Sequence, residues 1–135
     1  MYFIYVDGAS RGNPGKSACA CVIMKDRKSF HKKYKYLGPD KTNNYAEYQG
    51  VILGMEQAFY LRLDHITIFS DSKLVVRQVT NKWSVLAKTL KPLNREVKRL
   101  SRGFDSFKIK LIPRGINKKA DELCNLCLDK ELSKK

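Results

Sequence analysis

Five apolar or aromatic residues in a row, Tyr2-Phe3-Ile4-Tyr5-Val6, run straight into Asp7 and Gly8. A stretch without polar alternation suits a strand covered on both faces, inside a sheet rather than at its edge. Asp7 is expected where that strand leaves the sheet, a position that packing alone does not explain. The next eight residues, Gly8-Ala9-Ser10-Arg11-Gly12-Asn13-Pro14-Gly15, hold three glycines and a proline. They predict a tight, irregular turn whose freed amides can approach a phosphate or sugar closely.

Residues 17–24 are small and apolar and read as a second strand. Residues 30–37 alternate loosely and read as a third, with Lys32, Lys33 and Lys35 guarding a sheet edge. Short links between the three predict an antiparallel meander. Gly38-Pro39-Asp40-Lys41 reads as a loop, and Thr42-Asn43-Asn44 as the capping start of a helix over 45–61. In that helix Ala46, Gly50, Gly54 and Ala58 recur every four residues. An interior glycine costs about 1 kcal/mol against alanine, so two of them imply that the helix backbone lies close against something flat. A fourth strand over His65–Ser70, a short helix over 73–80, a helical pattern over 86–100 and a fifth strand over 107–112 follow, with a last helix over Lys118–Leu132. One α/β domain spanning 1–135 is expected, without internal repeats.

Strand–helix–strand crossovers are right-handed, so the fourth strand should run parallel to the third and the first. If it pairs with the first, Asp7 and Asp71 emerge at the same sheet edge, about 4.8 Å apart. Open α/β sheets bind ligands at that edge. Glu47 and Asp121, expected in the first turns of their helices, can reach the same spot. Unpaired carboxylates share a small space only when something neutralises them. Oxygen ligands suit Mg²⁺ or Mn²⁺, and a metal pair can clamp a phosphodiester. Taken one at a time, the four acids also fit plain strand-end and helix-start positions.

The formal charge is +14, from 27 Lys plus Arg against 13 Asp plus Glu. It points to a polyanion, nucleic acid before anionic membrane, against the blander reading of a solubility charge. Between Asn81 and Lys119, 12 Lys or Arg stand against Glu96 and Asp105 alone. Such a surface tracks phosphates without reading sequence. Cys19, Cys21, Cys124 and Cys127 lack the spacing of a zinc knuckle and read as buried free thiols. With no apolar run near the length of a membrane span and no leader pattern, a cytoplasmic protein is expected, without a membrane partner.

Four segments carry a resemblance: Asp7 to Gly15, Thr42-Asn43-Asn44-Tyr45-Ala46-Glu47, Ser70-Asp71-Ser72, and Arg114-Gly115-Ile116-Asn117-Lys118-Lys119-Ala120-Asp121. In that order they closely resemble type 1 ribonuclease H, over nearly the whole chain. The resemblance implies an α/β, ribonuclease H-like fold, a mixed five-stranded sheet in the order 3-2-1-4-5 with strand 2 antiparallel. It implies hydrolysis of the RNA strand of RNA–DNA hybrids, leaving 5′-phosphate and 3′-hydroxyl ends, with two Mg²⁺ ions that Mn²⁺ can replace. Asp7 would touch both metals, Glu47 and Asp71 the one on the leaving-group side, and Asp121 the one beside the attacking water.

By the same resemblance Gly8, Ser10, Asn13 and Asn44 would read 2′-hydroxyls. Thr42 and Asn43 would lie near the DNA strand, and Trp83 against deoxyribose, unless it is a core tryptophan. Ser72, Arg114 and Asn117 join the expected nucleic-acid contacts. Two departures stand out. Neither His31 nor His65 falls in the loop before Asp121, where many members carry a histidine, and Arg114 stands nearby instead. The stretch from Trp83 to Phe107 is also too short for the long basic protrusion of some members. A monomer is expected. Double-stranded RNA is a second candidate substrate. A non-catalytic hybrid-binding module and a DNA-cutting relative are the rival readings.

Overall fold

A computed structural model describes residues 2–134; Met1 and Lys135, the ends of the expected domain, lie outside it. The elements are β1 (Tyr2–Gly12), β2 (Gly15–Lys25), β3 (Lys28–Lys41), α1 (Asn43–Tyr60), β4 (His65–Ser70), α2 (Lys73–Val79), α3 (Lys91–Ser101), β5 (Ser106–Leu111) and α4 (Lys118–Leu132). The five strands form one sheet in the order β3-β2-β1-β4-β5. β2 is antiparallel to β1 and β3, while β1–β4 and β4–β5 are parallel, as expected. Among the described residues no helix is long and apolar enough to cross a membrane.

The core lies between the sheet and α1, α2 and α3. Ile4, Val6, Cys21 and Ile23 meet Val51, Met55 and Ala58 there. Phe59 of α1 stacks on Phe104 at 4.2 Å, which holds the end of α3 in place. α4 covers the other face, with Leu128 and Cys127 over Ala18. The four cysteines are buried and free, and they divide between the two faces, so they form no four-thiolate site. Burial pushes the Cys19 and Cys21 thiols up to about 12.

The glycines of the first segment serve a different purpose from the one expected. Residues 8–12 are not an irregular turn: β1 continues through them, and only Asn13-Pro14 joins it to β2. Gly8 is small because a Cβ there would stand 2.1 Å from the Ala46 carbonyl carbon. Gly50 answers from α1, where a Cβ would stand 2.6 Å from the Asp7 carbonyl oxygen. The close backbone contact inferred from the small-residue stripe is therefore between α1 and β1. Residues 38–41 are not a loop either but the end of β3. An edge strand tolerates Pro39, which has no N–H to offer, and Gly38 takes the positive φ of +121° that a side chain would resist.

Gly50→Ala separates two effects of opposite sign. Helix propensity alone would stabilise the protein by about 1 kcal/mol. A methyl forced into the Asp7 backbone costs about 1–3 kcal/mol or more, and we expect the clash to win. Thermal unfolding should show a Tm lowered by several degrees. An unchanged or raised Tm would mean that α1 and β1 do not lie this close.

Candidate active site

The carboxylates meet through strand register. Tyr5 of β1 stands opposite Phe69 of β4. Carrying the same offset two residues further sets Asp71, just past the end of β4, beside Asp7. Asp7 thus lies inside β1, still paired with Ala20 of β2, at the point where β4 has turned away. It is not at the end of its strand, as expected from sequence; the sheet opens on one side of it only.

α1 brings the third acid. Thr42 caps the helix by accepting from the Tyr45 amide at 3.2 Å. Glu47 then falls one turn in, rather than in the first turn. Because Ala46 rests on Gly8, the Glu47 carboxylate reaches the strand and accepts from the Gly8 amide at 2.6 Å. One oxygen each of Asp7, Glu47 and Asp71 lies within 4.8 Å of the others. Asp121, in the first turn of α4 as expected, lines the same groove of about 670 Å³ but stands outside that tight group.

Asp7 is 5% exposed and Glu47 7%. Burial pushes the Asp7 carboxyl up to about 7. The charges of Asp71 and Asp121 push the same way, against hydrogen bonds from Glu47 and the Gly8 amide. Burial, then the Asp7 charge, holds Glu47 well above the usual carboxylate range. Both shifts have the cause expected of like charges gathered away from water.

The residues fit a hard divalent cation. All the converging donors are carboxylate oxygens, the ligands that Mg²⁺ and Mn²⁺ prefer. Asp71 Oδ1 is buried without a hydrogen-bond partner, an arrangement that is costly unless something binds it. Asp71 Oδ2 is held at 3.1 Å by Asn117 Nδ2, which also donates to the Val6 carbonyl at 2.7 Å.

Asn117 is therefore not placed to contact nucleic acid through its side chain. It is 1% exposed and turned inward, so its amide aims Asp71 instead. Nothing in sequence separates the two uses, since Asn suits loop surfaces and buried amide bridges alike.

The other expected contact residues fall in two places. Gly8, Ser10, Asn13, Asn43, Asn44, Ser72 and Arg114 line the groove with the carboxylates. Asn43 Oδ1 accepts from the Ser10 amide at 2.9 Å, and Asn13 Oδ1 accepts from the Asn43 amide at 3.0 Å. These bonds tie the hairpin tip to the start of α1. Ser72 is buried and caps α2 by accepting from the Val75 amide at 3.3 Å. Trp83 stands off the groove, 44% exposed, so it is not a core tryptophan. Lys73 and Arg77 each lie 5.9 Å from its ring.

Two features escape a sequence reading. Lys73 lines the groove beside the carboxylates. A buried chain joins three helices: Tyr48 donates to Gln78 Oε1 at 2.7 Å and accepts from Asn94 Nδ2 at 3.1 Å. Gln78 Nε2 then donates to the Ser84 carbonyl at 3.2 Å, which anchors the segment carrying Trp83.

The reverse transcriptase-like family model matches residues 5–127. Ribonuclease HI of Halobacterium salinarum is 36% identical over 125 residues, covering 93% of this chain and 63% of that protein. A bifunctional protein of Mycobacterium tuberculosis is 35% identical over 127 residues, 93% of this chain but 35% of its own length. The chain thus spans less than two thirds of these relatives. The crystal structure of RNase H1 from Halobacterium salinarum superposes with a TM-score of 0.92 at 36% identity, covering 96% of this chain and 98% of that one. LC11-RNase H1, solved in complex with an RNA/DNA hybrid, superposes with a TM-score of 0.91 at 32% identity, covering 98% of this chain and 99% of that one. With a family match across most of its length and this fold, the chain belongs to the reverse transcriptase-like family, as a domain of the type 1 ribonuclease H kind.

Proposed function

We propose that this chain is an endoribonuclease that hydrolyses the RNA strand of RNA–DNA hybrids, leaving 5′-phosphate and 3′-hydroxyl ends. One observation carries the reading: a strongly basic chain gathers three converging carboxylates, two of them buried, in the wall of an open groove. Burial of like charge is unfavourable without a counter-charge, so the arrangement is justified only by what it holds. The likeness to LC11-RNase H1, solved with an RNA/DNA hybrid, supports the substrate.

Asp7, Glu47, Asp71 and Asp121 would hold two Mg²⁺ ions, with Mn²⁺ able to substitute. When bound, such ions activate water and stabilise the departing oxygen. The chain's own residues set the stage for that chemistry. The Gly8 amide fixes Glu47, and Asn117 fixes one oxygen of Asp71 while leaving the other free. No histidine lines the groove, and His31 is engaged with Gln57 at 2.7 Å. The Ser72 hydroxyl is occupied as a helix cap. The Ser10 hydroxyl, which also lines the groove, donates to the Lys41 carbonyl at 2.9 Å, and on this reading water would be the attacking group.

Gly8, Ser10, Asn13 and Asn44 would face the RNA strand, whose 2′-hydroxyl is the mark that separates it from DNA. Thr42 and Asn43 would lie toward the DNA strand, with Arg114 on a phosphate and exposed Trp83 against a deoxyribose. The chain would act as a monomer.

A labelled hybrid, a DNA duplex and an RNA duplex incubated with Mg²⁺, Mn²⁺ or chelator test the reading. We expect metal-dependent cutting of the hybrid's RNA strand, slower cutting of double-stranded RNA, and none of DNA. Asp7→Asn should lower the rate more than about 100-fold, the scale of losing one charge-stabilising group, while hybrid binding holds or tightens. Absence of metal-dependent cutting would remove the proposal, and lost binding in Asp7→Asn would make Asp7 structural.

The buried acids also predict how stability responds to pH. The folded-state pKa of Asp7, about 7, lies above its ordinary value of 3.8, so between those values the folded chain binds more protons than the unfolded one. Stability from this group is present at low pH and lost as pH rises through about 7. In chelator, the Tm of Asp7→Asn should therefore gain on the parent's as pH goes from acid to alkaline. Mg²⁺ should stabilise the parent by about 2.7 kcal/mol at 100 times its dissociation constant, more at high pH than at low, and Asp7→Asn much less. Equal pH profiles for the two proteins in chelator would refute the burial of this charge.

A further inference from the structure

The sheet face opposite α1 is only partly covered. α4 packs there over β1, β2 and β3, and among the described residues no helix lies over β4 and β5 on that side. Side chains alternate along a strand, so Phe3 and Tyr5 share this face with Asp7. The Phe69 ring joins them, 5.1 Å from Tyr5 and 5.5 Å from Phe3. All three rings are partly exposed. On one flank, Lys110 stands opposite Phe69 and Lys108 opposite Thr67, both exposed on the same face. On the other flank Lys118 and Lys119 close a shallow cavity of about 270 Å³ against Tyr5, Met24 and Ile116. None of these four lysines makes an ion pair among the described residues.

A solvated sheet face is ordinarily polar. This one carries a row of aromatic rings between two pairs of unpaired cations. Rings that stack on bases, flanked by charges that follow a backbone, are what binding of a single nucleic-acid strand requires. A duplex keeps its bases stacked inside and cannot use the rings. An apolar protein partner would have to desolvate the four lysines without neutralising them.

We propose that this face binds single-stranded nucleic acid, its bases stacking on Tyr5, Phe69 and Phe3 and its phosphates following Lys108, Lys110, Lys118 and Lys119. The site lies apart from the groove yet leads to it, since Tyr5 stands two residues before Asp7 on the same face of β1. It would hold an unpaired strand flanking a duplex seated in the groove.

Fluorescence anisotropy with a labelled oligothymidylate and oligouridylate, in chelator so that nothing is cut, tests it. The Lys108→Gln, Lys110→Gln, Lys118→Gln, Lys119→Gln variant should weaken binding more than about tenfold and flatten its salt dependence. An equal neutralisation on the β3 edge, Lys28→Gln, Lys32→Gln, Lys33→Gln and Lys35→Gln, should change it by less than about twofold. Phe69→Leu keeps an apolar side chain and should cost about five- to tenfold, within the range of one lost stack. Should that variant fold poorly, photocrosslinking of the unaltered chain decides, with adducts expected at Tyr5 or Phe69. Equal losses in the two lysine variants, adducts confined to the Trp83 side, or self-association through this face seen by light scattering would overturn the proposal.

Discussion

The approach of α1 to β1 is the contact on which the site depends. It is closer than ordinary helix–sheet packing permits, because Gly8 faces the Ala46 backbone and Gly50 the Asp7 backbone, where any side chain would collide. That approach lets the Gly8 amide reach Glu47 and delivers the glutamate to the same point in space as Asp7. Gly54, where a Cβ would stand 3.0 Å from both Ile4 and Val6 side chains, extends the contact along the strand. Helix propensity is given up at Gly50 and Gly54, and the close approach fixes the position of one carboxylate.

The second constraint is electrostatic. A chain with a net charge of +14 gathers Asp7, Glu47 and Asp71 within 4.8 Å of one another, two of them almost wholly buried. None of the ion pairs among the described residues involves these acids; they form on the surface, where they contribute little. Lys73 and Arg114 line the same groove without pairing with these acids. A polyanion would be drawn in by the outer field and meet the acidic wall only where its phosphates contact a bound cation.

Much of this was legible in the sequence, for physical reasons that differ by element. The meander of β1, β2 and β3 and the parallel direction of β4 followed from short links and the right-handed crossover, whereas the placing of β4 beside β1 came from the resemblance. The convergence of Asp7 and Asp71 followed from register once that pairing was fixed. What composition misread was glycine. In residues 8–12 and again at Gly38 it suggested turns, yet the chain stays in strands there, because Gly8 serves a close backbone approach and Gly38 a positive φ. Asn117 was misplaced because the direction of a side chain depends on packing between β1 and α4, which no local pattern encodes. The Tyr48–Gln78–Asn94 chain was invisible for the same reason: its members lie on three helices and meet only in the folded core.

The two faces of β1 thus separate their duties. Ile4, Val6 and Gly8 turn toward α1 and supply core and contact, whereas Phe3, Tyr5 and Asp7 turn away from it. The central claim is that acidic oxygens from β1, α1 and the end of β4 form a cage for a divalent ion. Anomalous diffraction from crystals soaked in Mn²⁺ tests it most directly. The account predicts density among Asp7, Glu47 and Asp71, within coordination distance of the Asp71 oxygen that has no partner. A soaked crystal with manganese bound elsewhere and none among these three carboxylates would contradict it.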